Sequence, residues 1–168
     1  MKTQWQTQSE YQLARNSRLR EMIHSIDKDV PRTDRHLPEF KYEDSAGLTA
    51  VRELLLAYLM LNFDLGYVQG MNDIASALWL VFRDEALTFW AFAHWMEDLE
   101  PLYAFDQHGI ENQLKLVSTL VRFVDPHLMH QLERANSTHF LFCLRWLLVF
   151  FKRDFDVSGA RKIWEVRG

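Results

Sequence analysis

Two short segments of the sequence carry side chains that together suit phosphoryl chemistry. The first is 26–33 (IDKDVPRT), which ends with Arg32 and Thr33. The second is 66–73 (GYVQGMND), which holds Gln69 just before Gly70 and an apolar run. A guanidinium neutralises charge on a transferring phosphoryl group, and a carboxamide orients the attacking water. The pair therefore predicts a contribution to phosphate hydrolysis once the fold brings the two segments together.

The sequence has no phosphate-binding loop of its own, since neither GxxxxGK[ST] nor GxGxxG occurs in it. A phosphate would therefore have to arrive on a partner. Taken alone, Arg32 is better explained as an exposed loop arginine that pairs with Asp29 or Asp34, and Gln69 as a turn residue. No HExxH motif or Cys/His cluster is present, so no metal site is expected.

Taken together, the two segments resemble the TBC domain of Rab GTPase-activating proteins. That family carries an arginine motif, I-x-x-D-x-x-R-[TS], and a glutamine motif, Y-x-Q-G. Similarity continues through 140–148, 151–155 and 163–165, so it covers nearly the whole chain. The stretch FDLGYVQGM also resembles the subgroup associated with late endosomes and mitochondrial contact. The matching residues are Ile26, Asp29, Arg32 and Thr33 in the first motif and Tyr67, Gln69 and Gly70 in the second.

The resemblance implies a GTPase-activating protein that stimulates GTP hydrolysis by a Rab-family small GTPase in its GTP form. Arg32 would be an arginine finger and Gln69 a glutamine finger, both supplied in trans. Asp29 and Thr33 would position the arginine segment, and Gly70 would let the backbone approach the partner closely. The chain would need no cofactor of its own, because GTP and Mg²⁺ are carried by the partner, and it would have no hydrolase activity by itself.

Tyr67 and Asp73 complete the set of supporting and partner-binding positions. Tyr67 belongs to the glutamine motif. Asp73 lies near the start of an apolar run, where acceptors and negative charge favour a helix N-terminus. Asp73 is therefore expected to be a helix-start acceptor rather than a catalytic base, because GTP hydrolysis of this kind depends mainly on positioning and charge stabilisation.

Composition limits the class of protein. The chain has 168 residues, of which 48% are hydrophobic and 14% aromatic, enough for one domain with a sizeable core. Its net charge is -4 and no basic stripe occurs, so nucleic acid is not expected as a partner. The single cysteine, Cys143, fits a buried residue in a reducing compartment. A cytoplasmic location follows, compatible with peripheral association with endosomal or other intracellular membranes through regions outside the chain.

No transmembrane segment is expected, because the most apolar run, 140–151, is too short to cross a bilayer and contains Arg145. Arg145 is predicted to be buried and paired with Glu165 or Asp154. The same run is predicted to form a helix over 138–151, capped by Ser137 or Thr138 and apolar on every side. Such a helix needs cover on every side, so an exposed apolar surface is expected near it.

The pattern of apolar residues, caps and breakers predicts an all-α, irregular multi-helix TBC-type fold. The 168 residues are expected to form one TBC domain, incomplete at both ends, that comprises its N-terminal half and part of its C-terminal half. Val30 is predicted to leave the first helix, because a following proline disfavours helical geometry. The predicted helices are 3–26, 48–62, 71–82, 85–99 with Asp84 as cap, 110–124, 126–135 after Asp125, 138–151, and one through Glu165 capped by Ser158.

Two other functions remain open at this point. One is a Rab-binding or scaffold module that is catalytically weak or inactive because the domain is incomplete. The other is a purely structural helical domain, for which both motifs would have to be coincidences.

Overall fold

The computed structural model describes residues 15–104 and 106–166, and within these ranges all regular secondary structure is helical. The prediction of an all-α fold is thus confirmed. The chain divides into two compact units, Met1–Asp98 and Leu99–Gly168. The helices are α1 (Ser17–Asp29), α2 (Ala46–Leu61), α3 (Met71–Phe82), α4 (Glu85–Tyr103), α5 (His108–Val124), α6 (Pro126–Arg134), α7 (Leu144–Leu148) and α8 (Val157–Glu165), with 3-10 turns at Val30–Arg32, Pro38–Phe40 and Leu141–Cys143.

The core of the first unit is built around α2. Its residues Leu55, Leu56 and Leu59 are almost fully buried, and α1, α3 and the two 3-10 turns of this unit pack against it. Tyr58 meets Phe92 edge to face, with ring centroids 5.1 Å apart. Because α2 is buried along most of its length, it holds α1 and α3 at fixed positions. The arginine motif lies at the end of α1, and the glutamine motif lies just before α3.

The arginine segment follows α1 without a clean break. Asn16 has extended backbone and caps α1 by accepting from the Leu19 amide, so the helix predicted over 3–26 is interrupted there. The earlier part of that prediction, residues 3–14, lies outside the described residues. Val30 does not leave the helical region as predicted: its φ and ψ are -58° and -48°. It is buried and opens a 3-10 turn in which Pro31 needs no N–H, and the chain becomes extended only at Thr33.

Capping residues place most of the remaining boundaries close to prediction. Helix α3 spans the predicted residues, and the Asp84 carboxylate accepts from the Leu87 amide at 2.8 Å to start α4. Asp125 accepts from the Leu128 amide at 2.9 Å, with Pro126 in the first turn of α6. The end predicted for the helix 85–99 is wrong, because α4 continues through Pro101 to Tyr103.

The helix predicted over 138–151 does not form. Only the turn Leu141–Cys143 and the five residues of α7 are helical, and Phe140, Phe150 and Phe151 have positive φ. Neither Ser137 nor Thr138 caps the turn; its N-cap is Phe140. The kinks turn Phe140 and Cys143 into a buried cluster with Leu114 and Met129. The segment thus buries some of its apolar side chains through an irregular backbone, and it does not form the continuous apolar helix that was predicted.

The segment still exposes apolar surface, as expected: Leu141 and Phe142 are 66% and 50% exposed. Arg145 pairs with Asp154, one of its two predicted partners, but the prediction that it is buried is wrong, since 57% of its side chain is exposed. No helix within the described ranges combines the length and apolarity that a bilayer crossing needs.

The N-cap of the last helix, α8, differs from the predicted one. Its cap is Asp156, whose carboxylate accepts from the Gly159 amide at 2.7 Å, and not Ser158, which lies inside α8. We expect Asp156→Ala to lower the free energy of unfolding by about 1 kcal/mol, since an N-terminal donor loses its acceptor. The matched substitution Ser158→Ala should change it by less than about 0.5 kcal/mol. Thermal unfolding of both variants decides between the caps, and a larger loss for Ser158→Ala would contradict the assignment.

Candidate functional site

The arginine segment and the glutamine loop meet in the first unit. Arg32 and Gln69 line one cleft of about 240 Å³, together with Ser25, Lys28, Asp29 and Tyr67. Both Arg32 and Gln69 are exposed, and 59% of the arginine side chain is open to solvent. The two side chains that the sequence singled out therefore share one solvent-accessible site.

Asp29 connects the two segments. Its side chain is only 8% exposed, and its two carboxylate oxygens bind different partners. Oδ1 accepts from Nη2 of Arg32, and Oδ2 accepts from the hydroxyl of Tyr67 at 2.8 Å. A buried carboxylate is stable only with such donors around it. One guanidinium nitrogen of Arg32 is thus tied through Asp29 to the glutamine loop, while most of the arginine side chain stays in solvent.

Thr33 and Asn72 form a second connection. The Thr33 hydroxyl donates to the backbone carbonyl of Asp29 at 2.9 Å and accepts from Nδ2 of Asn72 at 2.8 Å. Oδ1 of Asn72 accepts from the Gly70 amide at 3.2 Å. Tyr67 also lies 3.2 Å from that oxygen, but its single proton goes to the closer, charged Asp29. One buried asparagine therefore fixes both the exit of the arginine segment and the end of the glutamine loop.

The two glycines that flank the motif have conformations that other residues rarely adopt. Gly66 has φ 73° and Gly70 has φ 111°. A Cβ on Gly66 would lie 2.4 Å from Cε of Met22 on α1, so the loop runs directly against that helix. The loop is thus held at both ends, and Gln69 lies on its exposed part.

The first turn of α3 is tied to the chain beyond Arg32. Asp73 is buried in that turn, and its amide donates to the carbonyl of Gly70 at 3.0 Å. Its place in the first turn is as expected, and its role as an acceptor stays a prediction. The Ser76 hydroxyl donates to Asp34 at 2.7 Å. This contact adds a further link between α3 and the arginine segment.

Tyr67 experiences an unusual electrostatic environment. Its pKa is raised far above the ordinary value for tyrosine, first by burial, then by its hydrogen bond to Asp29 and by the negative charges of Asp29 and Asp73. The charge of Arg32 acts in the opposite direction. The phenol therefore remains a neutral donor to Asp29, which is the role that the geometry gives it.

The structure adds residues that the sequence did not single out for the site. Asn72, Ser25 and Lys28 were not among the predicted site residues. The buried Asn72 and Ser76 lie on an otherwise apolar helix. A polar residue in such a position needs a partner, because its burial is unfavourable without one. That rule could have marked both residues, but it could not have named their partners.

Other types of site receive less support. Within the described ranges no group of three or more His, Cys, Asp or Glu side chains could hold a metal ion. Cys143 is buried, and burial raises the pKa of its thiol. A thiol in that state is a poor nucleophile. This agrees with its predicted role as a small buried residue.

Similarity to known proteins agrees with the geometry of the cleft. Residues 1–167 match the model of the Rab-GTPase-TBC domain. The chain belongs to this family. Human TBC1 domain family member 17 is 39% identical over 166 residues, which cover 99% of this chain and 26% of that protein. The GTPase-activating protein GYP7 of Debaryomyces hansenii is 36% identical over 85% of this chain and 24% of its own length.

This TBC chain thus spans about a quarter of the length of these curated relatives. Its fold is similar to the crystal structure of the Ypt/Rab-GAP domain of Gyp1p, with a TM-score of 0.79 at 24% sequence identity. The similarity covers 89% of this chain and 54% of the Gyp1p chain. The expected TBC-type fold is therefore confirmed.

Tyr67→Phe tests whether the phenol supports the site. The variant keeps the ring but removes the donor to Asp29, so we expect the free energy of unfolding to fall by about 1–2 kcal/mol at neutral pH. Above pH 10 the unfolded wild type releases the phenolic proton, whereas the folded protein retains it because the folded pKa is raised. The free energy of unfolding of the wild type therefore falls relative to that of Tyr67→Phe, by up to about 1.4 kcal/mol per pH unit.

The stability difference between wild type and Tyr67→Phe should therefore shrink as the pH rises above 10. Urea unfolding at pH 7 and between pH 9.5 and 11 measures it. Tyr42→Phe is the matched control, since Tyr42 is 62% exposed and should show no comparable loss. A difference that stays constant or grows with pH would contradict this account of Tyr67.

Proposed function

We propose that this TBC domain is a GTPase activator that acts in trans on a Rab-family GTPase in its GTP form. The observation that carries the proposal is the common cleft: Arg32 and Gln69 are both exposed there, and Asp29, Tyr67 and Asn72 connect the backbone segments that carry them. The nucleotide and Mg²⁺ belong to the partner. Membership of the TBC family and the similarity to the GTPase-activating protein GYP7 support the same assignment.

Arg32 would neutralise charge that develops on the transferring phosphoryl group. A guanidinium stays charged at any physiological pH and presents five N–H donors in a planar fork. The contact with Asp29 engages Nη2 and leaves donors of the fork for phosphate oxygens. The finger therefore need not leave its anchor to act, and its anchored position limits the conformational entropy lost on binding.

Gln69 would orient the attacking water. Its carboxamide offers both an acceptor and donors, so it can hold a water and face a phosphate oxygen at the same time. The loop that carries it is fixed by Gly66, Gly70 and Asn72, so little reorganisation accompanies binding. In this mechanism the chain supplies the carboxamide that a Rab otherwise provides from its own switch region.

The domain would act in the cytoplasm, at membranes where GTP-loaded Rabs reside. It would regulate hydrolysis and would hydrolyse no nucleotide by itself. The lining of the cleft includes two basic side chains, Lys28 and Arg32, next to one acid, Asp29. An anionic phosphate carried by the partner matches that balance.

Substitution of Arg32 tests the proposed arginine finger. We expect Arg32→Ala to remove most of the acceleration of GTP hydrolysis, on the order of 10³-fold or more. Arg32→Lys should be nearly as impaired, since it keeps the charge but loses the planar fork. Single-turnover phosphate release from a panel of GTP-loaded Rabs measures both. Arg35→Ala, which changes an exposed arginine three residues after Arg32, should retain activity within about twofold. An Arg32→Ala protein as active as wild type would contradict the assignment.

Substitution of Gln69 tests the source of the water-orienting group. We expect Gln69→Ala to lose roughly 10²-fold or more in the same assay, while Gln113→Ala, an exposed glutamine on α5, is unaffected. Activity toward a Rab whose own switch glutamine is replaced by alanine should persist. Complete resistance of that Rab, with Gln69→Ala still active, would mean that the partner supplies the carboxamide.

A further inference from the structure

Lys28 places a second positive charge in the cleft that holds Arg32 and Gln69. It is exposed, belongs to the last turn of α1 and lines the cleft next to Asp29. The proposed two-finger mechanism gives it no task, because Arg32 and Gln69 account for the charge and the water of the reaction. The ammonium group of Lys28 is therefore available for a different contact.

The last turn of α1 is fixed on its other sides. Ile26 is fully buried, and Asp29 is almost so. Oδ1 of Asp27 accepts from Nε of Arg52 on α2 at 2.7 Å. The backbone of Lys28 therefore has a defined position, and its side chain leaves the helix on the side of the cleft.

Neighbouring polar groups of the cleft are satisfied within the chain, whereas the ammonium group of Lys28 is not. The Ser25 hydroxyl donates to the carbonyl of Glu21 at 2.9 Å, and the carboxylate of Asp29 already has two donors. In the described part of the chain, no carboxylate forms an ion pair with Lys28. Arg32 follows four residues later, and like charges at this spacing repel each other, so an anion from outside the chain is favoured here.

The position of Lys28 indicates which anion it meets. Lys28 precedes Arg32 by about one helical turn, roughly 6 Å along the axis, so its anion lies beside the transferring phosphoryl group and not on it. In small GTPases a phosphate-binding loop and its lysine already surround the other phosphates. The anion left for Lys28 is a carboxylate on the protein surface that borders the nucleotide.

We propose that Lys28 binds an aspartate or glutamate on the GTPase surface next to the nucleotide, and that this ion pair selects among GTPases. The inference rests on the proposed function, which supplies the partner. A lysine suits such a contact, because its compact charge on a flexible stem needs no planar fork. The pair forms when the two proteins meet and is the same in the transition state, so it lowers KM and leaves kcat unchanged.

Steady-state hydrolysis over a range of concentrations of a responsive, GTP-loaded Rab tests the proposal. We expect Lys28→Ala to raise KM about three- to fivefold with kcat unchanged, and Lys28→Glu to raise KM further because like charges then face each other. Lys115→Glu makes the same change of charge at an exposed position of α5 and should leave both constants unchanged. The effect of Lys28→Ala should shrink between about 50 mM and about 500 mM salt, since salt screens exposed charges.

A charge exchange identifies the carboxylate. Each exposed aspartate and glutamate around the nucleotide of the responsive Rab is replaced singly by lysine. One of these substitutions should return the KM of Lys28→Glu to near that of the wild-type pair, while its neighbours should not. A GTPase without a carboxylate at that position should respond equally to wild type and Lys28→Ala, which makes Lys28 a determinant of specificity.

Affinity separates this inference from the proposed function. Titration with the Rab bound to a non-hydrolysable GTP analogue measures the contribution of Lys28 without catalysis. If Arg32→Ala kept full activity, the proposed finger would be wrong, and the affinity of Lys28→Ala would still decide the ion pair. If Arg32→Ala were inactive while Lys28→Ala bound and reacted as wild type does, the ion pair alone would be wrong.

Other results would also overturn the ion pair. A lowered kcat in Lys28→Ala would mean that Lys28 acts on phosphate. Reduced thermal stability with unchanged KM would mean that its charge only stabilises the C-terminus of α1 through the helix dipole. Failure of every charge exchange to restore KM would contradict the proposed carboxylate, and absence of binding to every Rab of the panel would contradict both the ion pair and the proposed function.

Discussion

The paired segments of the cleft depend on one buried carboxylate. Asp29 ends α1, accepts from Arg32 through one oxygen and from Tyr67 through the other, and is almost shielded from solvent. A charge in such a place is tolerated only while its donors stay, so neither segment can move away without uncovering it. The packing of α1 and α3 against α2 brings the two segments close together, and the hydrogen bonds of Asp29 then hold Arg32 and Gln69 at the same cleft.

Many helix boundaries were predictable from the sequence because they are set by local interactions. Asp84 and Asp125 start helices through their own carboxylates, and the two glycines around Gln69 mark a loop whose dihedral angles they permit. The segment 138–151 could not be predicted this way. Its apolar periodicity fits a helix, but Phe140 and Phe151 have left-handed backbone, and Phe140 packs in the buried cluster with Leu114 and Met129. Such long-range packing outweighs local propensity and leaves no mark in the local pattern.

The site was predictable to a different degree. The motif residues named the two exposed side chains and most of their supports, and the structure brings all of them together around one cleft. The role of Asn72 was not predictable, because its partners, Thr33 and Gly70, belong to different segments and their proximity depends on the packing of α1 against α2. The exposure of Arg145 was missed for a similar reason: an apolar neighbourhood in sequence predicts burial only when the chain forms a continuous helix.

The hydrogen bonds around Asp29 separate the residues of the two motifs into two groups. Asp29, Thr33, Tyr67 and Gly70 face inward and are satisfied within the chain, whereas Arg32 and Gln69 point outward. Selection can therefore act on the two kinds independently. A related chain that kept the inward-facing residues but lost Arg32 and Gln69 would have the same cleft without the two side chains that are proposed to act on the phosphate. Under the proposed function, such a chain would still bind a GTP-loaded GTPase but would no longer accelerate hydrolysis, so it would prolong the GTP-bound state instead of ending it.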